Sequence, residues 1–134
     1  VLFRTDADTF LVESSLQDEV FGAASLIVTT SGEEQTHEII EGLEGQLTAT
    51  VHAEPADHPE VARLLPRLER LAGRIVYGGW PTGVEVGDAT VHGGPFPATT
   101  DGRSTSVGTL AIDRFLRPVA YQDFPTDLLP PETR

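Results

Sequence analysis

Three short apolar, β-branched runs alternate with stretches of helical period, and this alternation constrains the chain more than any other feature. The runs are Ala24-Ser25-Leu26-Ile27-Val28-Thr29-Thr30, Gln46-Leu47-Thr48-Ala49-Thr50-Val51-His52 and Arg74-Ile75-Val76-Tyr77. Each is too short for a helix and reads as a buried strand. Between the first two, Ser31-Gly32-Glu33-Glu34 has the Ser-x-x-Glu spacing of a capping box. It predicts a helix through His37, Ile39, Ile40 and Leu43, ending at Gly42 and Gly45. Between the last two, Asp57-His58-Pro59-Glu60 offers a second capping box. Val61, Leu64, Leu65, Leu68, Leu71 and Ala72 then recur at the i, i+3, i+4, i+7 spacing of one helical face. Pro66 should kink that helix, because it lacks a backbone donor, and Gly73 should end it. Strand-helix-strand-helix-strand with short connections predicts right-handed crossovers and a parallel α/β sheet.

After Tyr77 the composition shifts. Residues 78–108 hold most of the chain's 13 Gly, together with Trp80, Pro81, Pro95, Phe96 and Pro97. A Gly- and Pro-rich stretch of this length inside a compact protein points to function rather than to a passive connection. Beyond it, Thr105 to Phe115 is expected as a helix and Arg117 to Asp123 as a last strand, with Pro118 suited to its edge or start. Pro125 to Arg134 reads as loop. No repeat, low-complexity tract or linker divides the 134 residues, so they form one segment.

With 39% hydrophobic residues the chain can bury a core, and no apolar run reaches the roughly 18–20 residues of a membrane-spanning helix. No basic-then-apolar signal peptide opens it. Nine Arg, no Lys and 21 acidic residues give a formal charge of −12, which argues against a nucleic-acid surface. Zero Cys excludes disulfides, thiolate zinc sites and cysteine nucleophiles within the chain. It fits a reducing, cytoplasmic setting. Zero Met and an opening Val1-Leu2-Phe3 that is already strand-like suggest an excerpt of a longer protein.

Of the residues that could carry chemistry, His37, His52, His58 and His92 lie on different expected elements without helical zinc spacing, so no metal site is expected. The hydroxyl-rich Thr99 to Ser106 loop lacks a G-x-S-x-G elbow and a base, and reads as a polar loop capping the following helix. Arg63, Arg67, Arg70 and Arg74, three and four residues apart, read as a solvated helix face. Glu19-Val20-Phe21-Gly22 is the most suggestive group. A carboxylate can accept from both ribose hydroxyls, and an aromatic ring two residues on can pack against a flat heterocycle. By spacing alone, a surface Glu and a core Phe are the favoured reading, by about three to one.

Several segments together resemble the C-terminal part of the aldehyde dehydrogenase superfamily. Glu19-Val20-Phe21-Gly22 resembles its Glu-x-Phe-Gly-Pro motif, with Ala23 in place of the Pro. Leu43 to Thr50 resembles the helix-to-strand segment that follows. The longest match runs from Pro81-Thr82-Gly83-Val84-Glu85-Val86 through Val91 to Gly108 and ends at Arg114 to Pro125. Its wording is similar to the branch that oxidises α-ketoglutaric semialdehyde (2,5-dioxovalerate) to 2-oxoglutarate with NADP or NAD.

The resemblance implies an α/β fold that is part of the catalytic domain: a parallel sheet with flanking helices over residues 1–116, then an oligomerisation strand and tail over 117–134. It implies cofactor binding by Glu19, on the nicotinamide ribose, and by Phe21, beside the ring. It implies an aldehyde pocket walled by Gly79, Trp80, Pro81 and Thr82, with Phe96 from a second loop. The partners it implies are a small aldehyde, the rest of the dehydrogenase chain and a second copy bound through the last strand. The family's cysteine nucleophile and its general-base Glu lie upstream of the matched region, so no catalytic residue is expected here and the isolated chain is expected to be inactive. Trp80 stands where a Phe is common, Gly78 where an Asn is common, and Gly87 and Ala120 where Cys is often found. The competing reading is a free-standing acidic α/β binding module without catalysis, and the least favoured is a small hydrolase built on the Thr99 to Ser106 loop.

Overall fold

The strand glimpsed at Val1-Leu2-Phe3 turns out to organise the first half of the molecule. In the computed structural model, which describes residues 1–133, Leu2–Asp6 (β1) pairs in parallel with Ser25–Thr29 (β2), with Leu2 opposite Ser25 and Asp6 opposite Thr29. The crossover between them contains a helix, Ala7–Val12 (α1), that the hydrophobic pattern does not announce. Asp6 caps it by accepting the Thr9 N–H at 2.8 Å, and this holds its carboxyl below the usual range. Ala7 and Phe10 are buried.

The second half repeats the arrangement. Glu33–Gly42 (α2) leads to Gln46–Val51 (β3), which pairs in parallel with Ala72–Tyr77 (β4) through His58–Leu71 (α3). Both capping boxes differ from expectation. Ser31 donates its N–H and hydroxyl to Gln35 Oε1, at 2.9 and 3.1 Å, and Glu34 is not used. The second box lies three residues earlier, on a 3₁₀ turn at Pro55–Asp57, where Glu54 N–H donates to Asp57 at 2.9 Å. Pro66 lies inside α3 without ending it. Gly73 is not the helix terminator: it is the second residue of β4.

The expected single sheet is therefore two sheets of two strands, β1–β2 and β3–β4. Each pair is closed by its own helical crossover, α1 in the first and α3 in the second. The halves are joined by α2 against α3. Arg63 on α3 forks onto Glu33 of α2 at 2.7 and 3.0 Å, and Arg67 Nε donates to Glu41 at 2.7 Å. Two members of the expected solvated arginine face thus bridge helices.

Residues 105–115 do not form the expected α-helix. The Thr105 hydroxyl donates to Val107 O and accepts from His92 N–H, which ties the first residues into a turn. Gly108 then takes φ +95, outside the helical region, and only a 3₁₀ segment, Thr109–Phe115, follows. Arg117 to Asp123 forms no strand in this chain. Pro118 has no N–H to give, Asp123 turns the backbone at φ +53, and no neighbouring strand among the described residues offers a ladder.

The exposed area is 10173 Å². A folded monomer of 14.4 kDa is expected to expose roughly 6,800 Å². The buried apolar residues are few: Ala7, Phe10, Leu68, Leu71 and Ala72. Leu110, Ile112, Phe115, Leu116, Val119 and Phe124 are all exposed, most of them by more than half. The chain has the ladders of an α/β fold without the closed core that stabilises one.

Candidate functional site

The Gly-rich loop lies on the β3–β4 sheet with backbone against backbone, and its glycines make that approach possible. A Cβ on Gly73 would overlap the Gly93 carbonyl, one on Gly94 the Gln46 carbonyl, and one on Gly45 the carbonyls of Pro95 and Phe96. A methyl at any of these positions would push the loop off the sheet. Thr105 and Ser106 fasten the far end. Ser106 donates its N–H and hydroxyl to His92 O, at 3.1 and 3.0 Å. The Phe96–Pro97 peptide in this loop is cis.

At the end of β4 the chain turns at Gly78, whose N–H donates to Val51 O at 2.8 Å. Gly78 sits at φ +65. That is the left-handed region open to Gly and, among residues with side chains, chiefly to Asn. Gly in place of the common Asn therefore leaves the turn geometry intact. Trp80 beyond it is 78% exposed and rests against the His52 ring, centroids 5.3 Å apart.

The fold brings one member of the first expected site group and two of the second to one place. Glu19, Pro81 and Thr82 line a single open cavity of about 800 Å³, floored by Gln46, Thr48 and Arg74. Trp80 lines an adjoining cleft of about 770 Å³ that also contains Arg74. Glu19 is exposed and makes no hydrogen bond or ion pair among the described residues, so both carboxylate oxygens are available as acceptors. Phe21 does not join it: the ring is 96% exposed and outside the cavity. Phe96 also stands outside, 80% exposed, and Gly79 lines neither cavity. The Glu19 carboxylate thus faces an open cavity that Phe21 does not line.

Sequence reasoning missed Arg74, which both cavities share. Its spacing from Arg70 placed it on the helical stripe. The available signal was its position as the one charged residue of an otherwise apolar strand. No cluster of His or carboxylates that could hold a metal occurs among the described residues. No helix among them is long and apolar enough to cross a membrane.

Over 129 residues the chain is 57% identical to α-ketoglutaric semialdehyde dehydrogenase 2 of Azospirillum brasilense. Over 130 residues it is 52% identical to α-ketoglutaric semialdehyde dehydrogenase of Acinetobacter baylyi. Each match takes in 96% of this chain. The chain is similar to these aldehyde dehydrogenases along nearly its whole length. It spans about a quarter of the length of the curated relatives it matches, which agrees with the resemblance to a C-terminal part. No protein-family profile matches it. The large exposed area and the open cavities are compatible with part of a catalytic domain of such an enzyme.

Proposed function

We propose that the chain works as the C-terminal quarter of an NAD(P)-dependent dehydrogenase that oxidises α-ketoglutaric semialdehyde to 2-oxoglutarate. The observation that carries this is the cavity where Glu19 meets Pro81 and Thr82, in a chain half identical to dehydrogenases named for that aldehyde. A bound nicotinamide would supply the hydride acceptor for this oxidation. Glu19 would hold it by accepting from the two ribose hydroxyls and so fix its register. Gly79, Trp80, Pro81 and Thr82 wall the aldehyde site, and Phe21 and Phe96 close against ring and substrate once the rest of the enzyme covers them. The nucleophile comes from the remaining three quarters, because this chain has no Cys. The 134-residue chain alone is accordingly inactive. Residues 117–134 contact a second copy.

A free-standing binding module is less well supported, because such a module would bury its own apolar residues. In the full-length dehydrogenase, Glu19→Gln replaces a charged acceptor with a neutral one. It should raise the KM for the nicotinamide cofactor about tenfold while the aldehyde KM changes less than about twofold. Unchanged cofactor kinetics would remove Glu19 from the site. Failure of the unaltered enzyme to oxidise the semialdehyde would remove the substrate assignment.

A further inference from the structure

Arg74 occupies the middle of β4, opposite Thr48 of β3, and its guanidinium reaches back over the loop that follows the strand. Nη1 donates to Gly83 O at 2.6 Å, and Nη2 is directed at Pro81 O at 3.4 Å. The two carbonyls flank Thr82, so one planar fork spans the loop at the point where it lines the Glu19 cavity. One feature sets Arg74 apart from an ordinary surface arginine. Its Nε is buried and has no hydrogen-bond partner. Burying an arginine N–H without a partner is costly, so the position is held by what the other two nitrogens do. Their carbonyl partners both belong to the short loop between the two cavities.

We propose that Arg74 is the positioning residue of the aldehyde pocket, fixing the Pro81–Thr82–Gly83 wall so that the substrate meets a preformed surface. This rests on the dehydrogenase reading of the site. Arg74 need not touch the substrate: the fork sets the position of the loop backbone, and the loop sets the pocket. A lysine at this position keeps the charge but presents a single ammonium in place of a fork spanning two carbonyls.

The test uses the full-length dehydrogenase carrying Arg74→Gln or Arg74→Lys. Steady-state kinetics are measured alongside hydrogen exchange of the peptide covering residues 79–84. Both variants should raise the aldehyde KM, by about tenfold for Gln and about fivefold for Lys, since a displaced wall weakens substrate positioning. The kcat and the cofactor KM should stay within about twofold, and exchange should quicken at 79–84 while α2 is unaffected. Full recovery of the aldehyde KM by Arg74→Lys would overturn the proposal, because charge alone would then suffice. An unchanged aldehyde KM in both variants would also overturn it. Equal exchange at 79–84 in all three proteins would overturn the clamp directly. That arm decides even if the unaltered enzyme fails to oxidise the semialdehyde, a result that would sink the dehydrogenase reading instead.

Discussion

Residues 46–108 and residues 109–133 both include long irregular stretches, yet these differ in how they are held. The first region anchors an irregular loop by backbone contact: glycines let the loop lie on the β3–β4 sheet, Thr105 and Ser106 tie it to His92, and Arg74 holds its early turn. The second region has apolar side chains and little within the chain for them to pack against. Phe115 is 83% exposed, and Leu116, Val119 and Leu128 are exposed by more than half. Irregular backbone can thus be fully specified by its own sequence when the contacts are local. When they are not, exposed apolar side chains are left waiting for surface supplied from elsewhere.

The sharpest way to break this comparison is Gly73→Val in the full-length protein. If backbone-on-backbone contact holds the loop, a branched side chain against the Gly93 carbonyl should cost about 3 kcal/mol or more and abolish activity with it. Thermal unfolding reads the first effect, and a neutral substitution would show that the loop floats. A somewhat smaller effect tests the other region. A truly exposed Phe115 would tolerate Phe115→Ser within about 0.5 kcal/mol. If the rest of the dehydrogenase covers it, the same change should cost about 2 kcal/mol in the complete enzyme. Differential scanning calorimetry of the complete enzyme separates the two.

The smallest effect concerns the seam between the halves. The Arg63 guanidinium hydrogen-bonds Glu33 and holds its carboxyl below the usual value of 4.5. A depressed acid pKa means that the unfolded chain takes up the proton first as pH falls. The stabilisation is complete above about 4.5 and fades as pH drops through the lowered folded value. Glu33→Gln should flatten part of that acid dependence, and high salt should shrink it further, since the pair is exposed. An acid limb identical in variant and parent would show that this seam contributes nothing.

How much of this was legible in the sequence depends on the range of the contacts. The helices α2 and α3 and strands β2, β3 and β4 follow from periodicity, because short apolar runs and an i, i+3, i+4 stripe are local signals. Helix α1 escaped because six residues carry too little period, and its cap, Asp6, sits at the end of a strand. The splitting of the sheet also escaped, since which strand pairs with which is not a property of either strand alone. At the site, Glu19 stood out by its motif, and Pro81 and Thr82 by resemblance. Arg74 was hidden by a spacing it shares with helical neighbours. Residues 117–123 illustrate the remaining class: an extended run needs a partner strand to become a ladder, and none is offered among the described residues.

The most direct test of the account compares hydrogen exchange of residues 109–128 in the full-length protein and in the 134-residue chain by itself. The account predicts strong protection in the complete enzyme and near-free exchange in the isolated chain, with β3 and β4 retaining more protection than this segment in both. Equal protection of residues 109–128 in the two proteins would contradict it, because the segment would then need no surface beyond its own chain.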